Sequence, residues 1–349
     1  MKLYQYILSG AMSMGLLFSS CSDWLDVTPV DTRTTENFYT TPSQMEQALI
    51  GVYNGLLPLS TYALLMSEVR SDNTWCGELS TAQRDYMDIS SFNPNISTIA
   101  TVRDAWNDLF EIVSRANLFL SKVDGVNYTI EGIKEQQIGE ARFLRALAYF
   151  DLVRYYGRVP LTLVPQTISE AMSTPQSEAV EIYEKVIIPD LEYAVGSLTE
   201  EPKDYLGRKS ASGRATLTAA KALLGRVYLT MAGFPLYETK KELARELLEE
   251  VIDYADATGK FWAKNASEWQ RMWINENDNK YHIFEIQYIV AKDYGNPMVF
   301  HSVPRLPSKY VTLEMSGNSI ACAKGLDNLL KEEQDEEGHF LDVRCLATI

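Results

Sequence analysis

The sequence predicts a mostly α-helical protein, an array of paired helices with a few short strands. Apolar residues recur at intervals of three and four over most of residues 42–258, which is the spacing of one face of a helix. No window in residues 102–258 alternates with the period of two that a half-buried strand shows. One segment is repeated: residues 141–149 and residues 220–228 both have the form A-[RK]-x-L-x4-Y, at an offset of 79 residues.

Residues 1–20 are predicted to be a lipoprotein signal peptide. Their apolar run, residues 7–18, is shorter than the about 20 residues of a membrane-spanning helix and suits the core of a secretory signal. The run ends in FSSC, an apolar residue and two small ones before a cysteine, which resembles a bacterial lipobox. We therefore expect Cys21 to be acylated, and the polar residues 21–41 to form a tether. The alternative is a plain secretory signal followed by an incidental cysteine.

The helical segments follow one another along the chain. The first opens at Thr41-Pro42-Ser43, where a threonine can cap a helix that has proline in its first turn, and Pro58 stops it. The segment 138–156 is apolar almost all round, which indicates burial between neighbours. Trp106 lies on an apolar face and is expected in the core. The segments after the first cover residues 102–122, 138–156, 180–198, 217–231 and 244–255.

Two regions lack this helical periodicity. Residues 67–97 are polar and are predicted to be a long loop, a kind of segment that is often functional. From residue 259 onward the helical spacing of apolar residues is lost. Residues 280–288 alternate in polarity like a strand, and residues 290–310 are rich in proline.

The second copy of the repeat resembles a tetratricopeptide helix pair. Leu224-Gly225-x2-Tyr228 has the spacing of helix A, and Ala244-x3-Leu248-x2-Val251 suits helix B. Small residues such as Ala146 and Gly225 would let neighbouring helices approach closely. Periodicity alone leaves an irregular helix bundle as the alternative.

Composition limits the function classes. The formal net charge is −15, with 47 acidic against 32 basic residues, which argues against nucleic acid or anionic headgroups as partners. Apart from Cys21, the cysteines are Cys76, Cys322 and Cys345, which give neither a disulfide framework nor a CxxC metal site.

Several of these stretches resemble the SusD/RagB family, outer-membrane glycan-binding lipoproteins of Bacteroidetes. The resemblance covers essentially the whole mature chain and includes strand-like residues 283–288 and the late F-x-D-x-R sequence at 340–344. The helical and N-terminal stretches that carry it are CSDWLDVTP at 21–29, W-x2-LF-x2-V-x3-N at 106–117, EARFLRALAYFDLVRYYGRVPL at 140–161, IIPDLEYAVGSL at 187–198 and AAKALLGRVYLT at 219–230.

The resemblance implies a tetratricopeptide-like superhelical scaffold with a loop-rich ligand face. Residues 42–258 would form the N-terminal region with its helices, and residues 259–349 the start of the C-terminal region. Members of the family usually continue well beyond the D-x-R motif. We therefore expect this chain to be either a fragment or the product of a truncated gene.

The resemblance also implies a function and a partner. A surface-exposed lipoprotein, held to the outer membrane only by its lipid, would capture a glycan and deliver it to a SusC-like TonB-dependent transporter without catalysis. A peptide- or protein-capturing member of the same family and a tetratricopeptide adaptor remain as alternatives.

The predicted ligand contacts lie in loops. Sugar binding needs flat aromatic faces for the C–H side of a pyranose, and polar side chains for its hydroxyls. The loop at residues 67–97 supplies that mixture, and the family resemblance places further contacts in loops after the helices. The alternative for Trp75 is a structural role in pinning the loop. The candidates are Asp72, Asn73, Trp75, Arg84, Tyr86, Tyr294 and Asn296.

Enzymatic and metal-binding alternatives have little support in the sequence. There are three isolated histidines, and the HExxH, GxSxG, P-loop and Rossmann patterns are absent. A glycosidase needs two carboxylates, and no motif singles out a pair among the acidic residues. We expect no cofactor; calcium held by clustered acids would be conceivable, but no EF-hand-like spacing supports it.

Overall fold

The computed structural model describes residues 38–71, 74–76, 84–93, 99–210, 213–272, 277, 279–289, 295 and 320–322. Within these ranges the protein is mostly helical with short strands, as predicted. The helices are α1 Pro42–Asn54, α2 Leu59–Met66, α3 Arg84–Ser90, α4 Ala100–Lys122, α5 Ile133–Tyr156, α6 Ile168–Ser173, α7 Ala179–Ile182, α8 Ile188–Ser197, α9 Leu217–Met231, α10 Lys241–Thr258 and α11 Ala266–Arg271. The strands are β1 Thr74–Cys76, β2 Val159–Pro160, β3 Gln176–Ser177 and β4 Ile320–Cys322.

The first helix begins where the sequence predicts. Thr41 caps α1 through a reciprocal pair of bonds, in which its hydroxyl accepts from the backbone N–H of Gln44 at 3.3 Å and the Gln44 side chain accepts from the Thr41 N–H at 3.2 Å. The helix ends at Asn54, before Pro58, and the chain continues as α2. No single helix in the described ranges is long and apolar enough to cross a membrane, although the bent pair Pro42–Thr61 and Ala63–Arg70 passes by length and composition only.

Helix α5 forms the centre of the helical array. It packs against α4 on one side and α8 on another, and α9 joins α8 to α10. A π-helical turn, Tyr183–Ile187, makes α7 and α8 one continuous rod. Phe143, Tyr149 and Phe150 of α5 are almost fully buried, which agrees with a segment that is apolar almost all round.

Both copies of the internal repeat end in a buried tyrosine. Tyr149 and Tyr228 are both buried, and each hydroxyl bonds to a neighbouring segment: Tyr149 accepts from the Thr162 N–H at 2.8 Å, and Tyr228 donates to Glu192 at 3.1 Å. The close approach predicted at Gly225 is present, since a Cβ built there would lie 2.8 Å from Cγ of Leu248. The pairing of α9 with α10 is therefore tight because residue 225 has no side chain.

A buried polar network joins three of these helices. Arg145 of α5 donates from Nε and Nη2 to the Asp190 carboxylate of α8 at 2.7 and 2.9 Å, and from Nη1 to Oδ1 of Asn117 in α4 at 2.7 Å. The Asn117 amide in turn donates to the carbonyl of Thr162 at 3.0 Å, in the segment that follows α5. All three side chains lie in the stretches that carry the family resemblance, and each is less than one-tenth exposed.

The predicted strand at residues 283–288 is wrong. No strand in the described part of the chain pairs with this segment, which is irregular and packs on the helices instead. Ile283, Phe284 and Ile286 pack against the core, and the Phe284 ring meets Phe143 edge to face at 5.1 Å between centroids. The hydroxyl of Tyr288 donates to the Leu57 carbonyl at 2.7 Å. The alternation therefore reflects packing on helices, not pairing in a sheet.

We predict that Gly225→Val lowers the free energy of unfolding by about 1–3 kcal/mol, because the new side chain overpacks the contact with Leu248. Urea unfolding measures the change. Gly51→Val is the matched control: it also lies within a helix, and a Cβ there meets nothing within 4 Å. Equal stability of the two variants would contradict a close contact between α9 and α10.

We predict that Arg145→Met destabilises the protein by about 3–5 kcal/mol, because it leaves the buried Asp190 carboxylate without its main partner. The double variant Arg145→Met/Asp190→Leu should recover part of that loss, and denaturant unfolding of all three proteins measures it. Arg208→Met, which removes an arginine 68% exposed from its pair with Asp204, is the control and should leave stability nearly unchanged.

Candidate functional site

The predicted ligand loop, residues 67–97, has a framework that the sequence did not reveal. A 3-10 turn at Glu68–Arg70, the strand β1 and the helix α3 all lie within it. The prediction that this stretch has no regular structure is therefore wrong for these segments. Its order comes from a small hydrophobic cluster, separate from the main core, formed by Leu65, Val69, Tyr86, Ile89 and Ile99.

The helix α3 is tied to the start of α4 by a carboxylate. Oδ2 of Asp85 accepts from the backbone N–H of Thr101 at 3.2 Å and from its hydroxyl at 3.1 Å. The first N–H groups of a helix lack partners within it, and the N-cap residue Ile99 offers no side-chain acceptor. Asp85 of α3 supplies that acceptor, and so fixes the predicted ligand loop against the scaffold.

The other edge of the loop meets a segment from far along the chain. Strand β1 pairs antiparallel with β4, and Trp75 lies opposite Ala321 in the register. The strand β1 also contacts α3. The loop is therefore held between the helical scaffold and a strand contributed by the region after residue 259.

The structure brings three of the predicted ligand residues into this β1–α3 unit. Trp75 lies in β1 and Arg84 begins α3, but only their backbones are described. Tyr86 is 8% exposed and packs in the small cluster, which leaves little of its ring accessible to a sugar in this conformation. The other predictions, Asp72, Asn73, Tyr294, Asn296 and the acylation site Cys21, lie outside the described residues and stay predictions.

Sequence reasoning missed an exposed aromatic ring in the same loop. Phe92, just after α3, is 61% exposed, and the Arg70 guanidinium lies 5.4 Å from its ring centroid. Its backbone is in the left-handed region, with φ of +53°. The available signal was an aromatic residue set among turn-forming residues in the sequence SSFNPN, but nothing local distinguishes it from a buried anchor.

The most obvious pair of carboxylates in the described structure is an ion-pair network, not a free acid and base. Arg214 donates to Glu46 at 2.6 Å and to both oxygens of Glu140 at 2.7 Å. Gln137 also donates to Glu46, at 2.6 Å, and Tyr53 donates to Glu140, at 2.7 Å. These contacts join α1, α5 and the segment before α9.

The charges of this network explain its pKa shifts. Burial raises the pKa of Glu46, a rise that Arg214 opposes. Burial alone would lower the pKa of Arg214, but the nearby carboxylates of Glu140 and Glu46 raise it overall. The positive charge of Arg214 thus compensates the negative charges of Glu46 and Glu140, which indicates that the two carboxylates have a structural role. Within the ranges that the structure describes, no three His, Cys, Asp or Glu side chains gather as a metal-binding group.

Comparison with known proteins agrees with this architecture. Residues 23–229 match a SusD-like family model described as "Starch-binding associating with outer membrane". A SusD-like protein of Bacteroides ovatus is 29% identical over 246 residues, covering 68% of this chain and 42% of the relative. The SusD-like protein P38 of Formosa agariphila is 28% identical over 314 residues, covering 86% and 57%. The chain therefore spans about half the length of these curated relatives.

Solved structures show the same fold. A SusD homolog from Bacteroides thetaiotaomicron has a TM-score of 0.61 and 26% identity, covering 74% of this chain and 49% of that one. A structure described as "with xylogluco-oligosaccharide" has a TM-score of 0.56 and 24% identity, covering 70% and 46%. These likenesses confirm the predicted helical fold. Because the family model matches more than half of the chain, the chain belongs to the SusD-like family.

Proposed function

We propose that this protein is a non-catalytic, glycan-binding lipoprotein of the cell surface. It captures an oligo- or polysaccharide and delivers it to a SusC-like TonB-dependent transporter in the outer membrane. The observation that carries the proposal is the match of residues 23–229 to a family described as starch-binding and associated with the outer membrane. That a similar fold was solved with a xylogluco-oligosaccharide supports a glycan as the ligand class.

The framework of residues 67–97 suits a binding loop. Its small hydrophobic cluster and the Asp85–Thr101 bonds hold the loop on rigid elements, which is how scaffolds position variable contacts. The exposed ring of Phe92 adds an aromatic face to the stretch that contains the predicted contacts Trp75 and Arg84. A pyranose would stack its C–H face on such rings while polar side chains bond its hydroxyls.

The attachment of the protein to the membrane rests on the sequence. The lipobox-like FSSC ends a run too short to span a membrane, so acylation of Cys21 is the proposed anchor. The polar residues 21–41 would then be a tether that lets the folded part of the protein move relative to the membrane and bring the bound glycan to the transporter. Mass spectrometry of the mature N-terminus tests this step, and an unmodified Cys21 would contradict it.

We predict that Trp75→Ala weakens glycan binding by about 1–3 kcal/mol, if the ring stacks under a sugar as aromatic side chains do under bases. Calorimetric titration with a panel of starch, xyloglucan and host glycans measures the affinity. Trp262→Ala is the control, because Trp262 is 48% exposed and lies outside the predicted loop.

Three outcomes of that titration are distinct. A loss of affinity in Trp75→Ala alone supports the site. Unchanged affinity would remove Trp75 from the site and leave the glycan function standing. No heat with any glycan, together with binding of peptides, would contradict the proposed function in favour of peptide capture.

A further inference from the structure

A cavity of about 290 Å³ opens beside α4, apart from the predicted loop contacts. Trp106, Phe110 and Ser114 form its wall on the helix, at successive intervals of four residues. The opposite wall comes from the segment after α5 and from α6, with Thr162, Gln166 and Ala171. Its volume lies just below the about 300–1,000 Å³ typical of ligand pockets, which suits one ring better than a long ligand.

Buried bonds fix the two walls to each other at Thr162. Asn117 of α4 donates to the Thr162 carbonyl at 3.0 Å and accepts from Arg145 at 2.7 Å. The Thr162 N–H donates to the buried hydroxyl of Tyr149 at 2.8 Å. The end of the cavity at Thr162 is therefore set by the helical scaffold, so a ligand would meet preorganised groups there.

The lining combines rings with neutral polar groups. Trp106 and Phe110 are half-buried, with ring centroids 4.8 Å apart and planes tilted by 49°. The exposed Ser114 hydroxyl and the exposed Gln166 amide lie at the cavity, and none of the described residues that line it carries a charge. Aromatic faces with uncharged hydrogen-bonding groups suit a neutral hydroxylated ring, and they would not compensate a phosphate or a carboxylate.

The cavity and the predicted ligand loop both contact helix α4. Asp85 of that loop bonds to Thr101 at the start of α4. Trp106 follows five residues later, which is about 8 Å along the helix and about 140° round it at about 1.5 Å and about 100° per residue.

We propose that this cavity is a second carbohydrate subsite, which takes one neutral pyranose ring of a glycan. The inference rests on the proposed function for its ligand class. The competing occupant is an apolar side chain of a partner protein, because Val164, which lines the cavity, is 62% exposed, and Ile168 and Met172 of α6 are 83% and 85% exposed. A neutral sugar fits better, since the cavity itself is rimmed by a hydroxyl and an amide.

The test fills the cavity from its exposed edge. Ser114→Phe places a ring in the cavity from an exposed position on α4, and Ala171→Trp does so from the opposite wall, so that failure of one variant to fold leaves the other. Ser121→Phe is the control, because Ser121 is exposed on the same helix and does not line the cavity. Circular dichroism and thermal unfolding establish that each full-length variant is folded.

The readout is local to the cavity. The six tryptophans are labelled with 5-fluorotryptophan, and Trp106→Phe and Trp75→Phe assign two of the ¹⁹F resonances. Methyl glucosides, xylogluco-oligosaccharides and malto-oligosaccharides serve as probes. We expect a probe to shift the Trp106 resonance in the wild type and in Ser121→Phe but not in the filled variants, which should also bind the oligosaccharide at least fivefold more weakly.

The outcomes separate this inference from the proposed function. If oligosaccharides shift the Trp75 resonance but leave Trp106 unmoved, the second subsite is overturned while the glycan function stands. The inference also fails if Ser114→Phe and Ala171→Trp bind as tightly as the wild type. If neither resonance moves with any probe and calorimetry shows no heat, both proposals fail.

Discussion

The burial of one arginine–aspartate pair is the constraint on which most of this structure depends. Arg145 and Asp190 are 6% and 2% exposed, so each charge has given up water and must be compensated within the protein. The paired Nε and Nη2 contacts to one carboxylate are directional, because the guanidinium is planar. Helices α5 and α8 can therefore satisfy the pair in only a narrow range of rotations, and Asn117 extends that requirement to α4.

The same network sets the shape of the surface that would receive a ligand. Asn117 accepts from Arg145 and donates to the carbonyl of Thr162, so the segment after α5 is drawn back across α4. That return creates the cavity beside Trp106. At the start of α4, Asp85 holds the predicted ligand loop by a comparable bond to a helix end. The helices thus position both the predicted ligand loop and the wall of the cavity.

Periodicity predicted the longer helices because each of them buries an apolar face, yet it missed the first turn of α5 and the short helices α2, α6 and α11. Helix α5 begins at Ile133, whereas the apolar pattern begins at residue 138. Gln136 and Gln137 are polar but 4% and 0% exposed, since they bond to the carboxylates around Arg214. Helix α3 was missed for a related reason, since Tyr86, Ile89 and Asp85 all contact residues outside the helix. Its seven residues are also too few to show a helical period.

Trp106 shows where sequence reasoning reaches its limit at the candidate sites. Its spacing on α4 predicts a core residue, and its ring does pack on Phe110 and Tyr156, at 4.8 and 5.0 Å between centroids. The remaining part of the same ring lines a cavity, because Pro160 and Thr162 return opposite it. A ring that fills a core and a ring that lines a site have the same helical period. Whether such a ring is covered or lines a cavity depends on the segment that packs opposite it. Here that segment lies some fifty residues later in the chain and is held by the bond from Asn117 to Thr162.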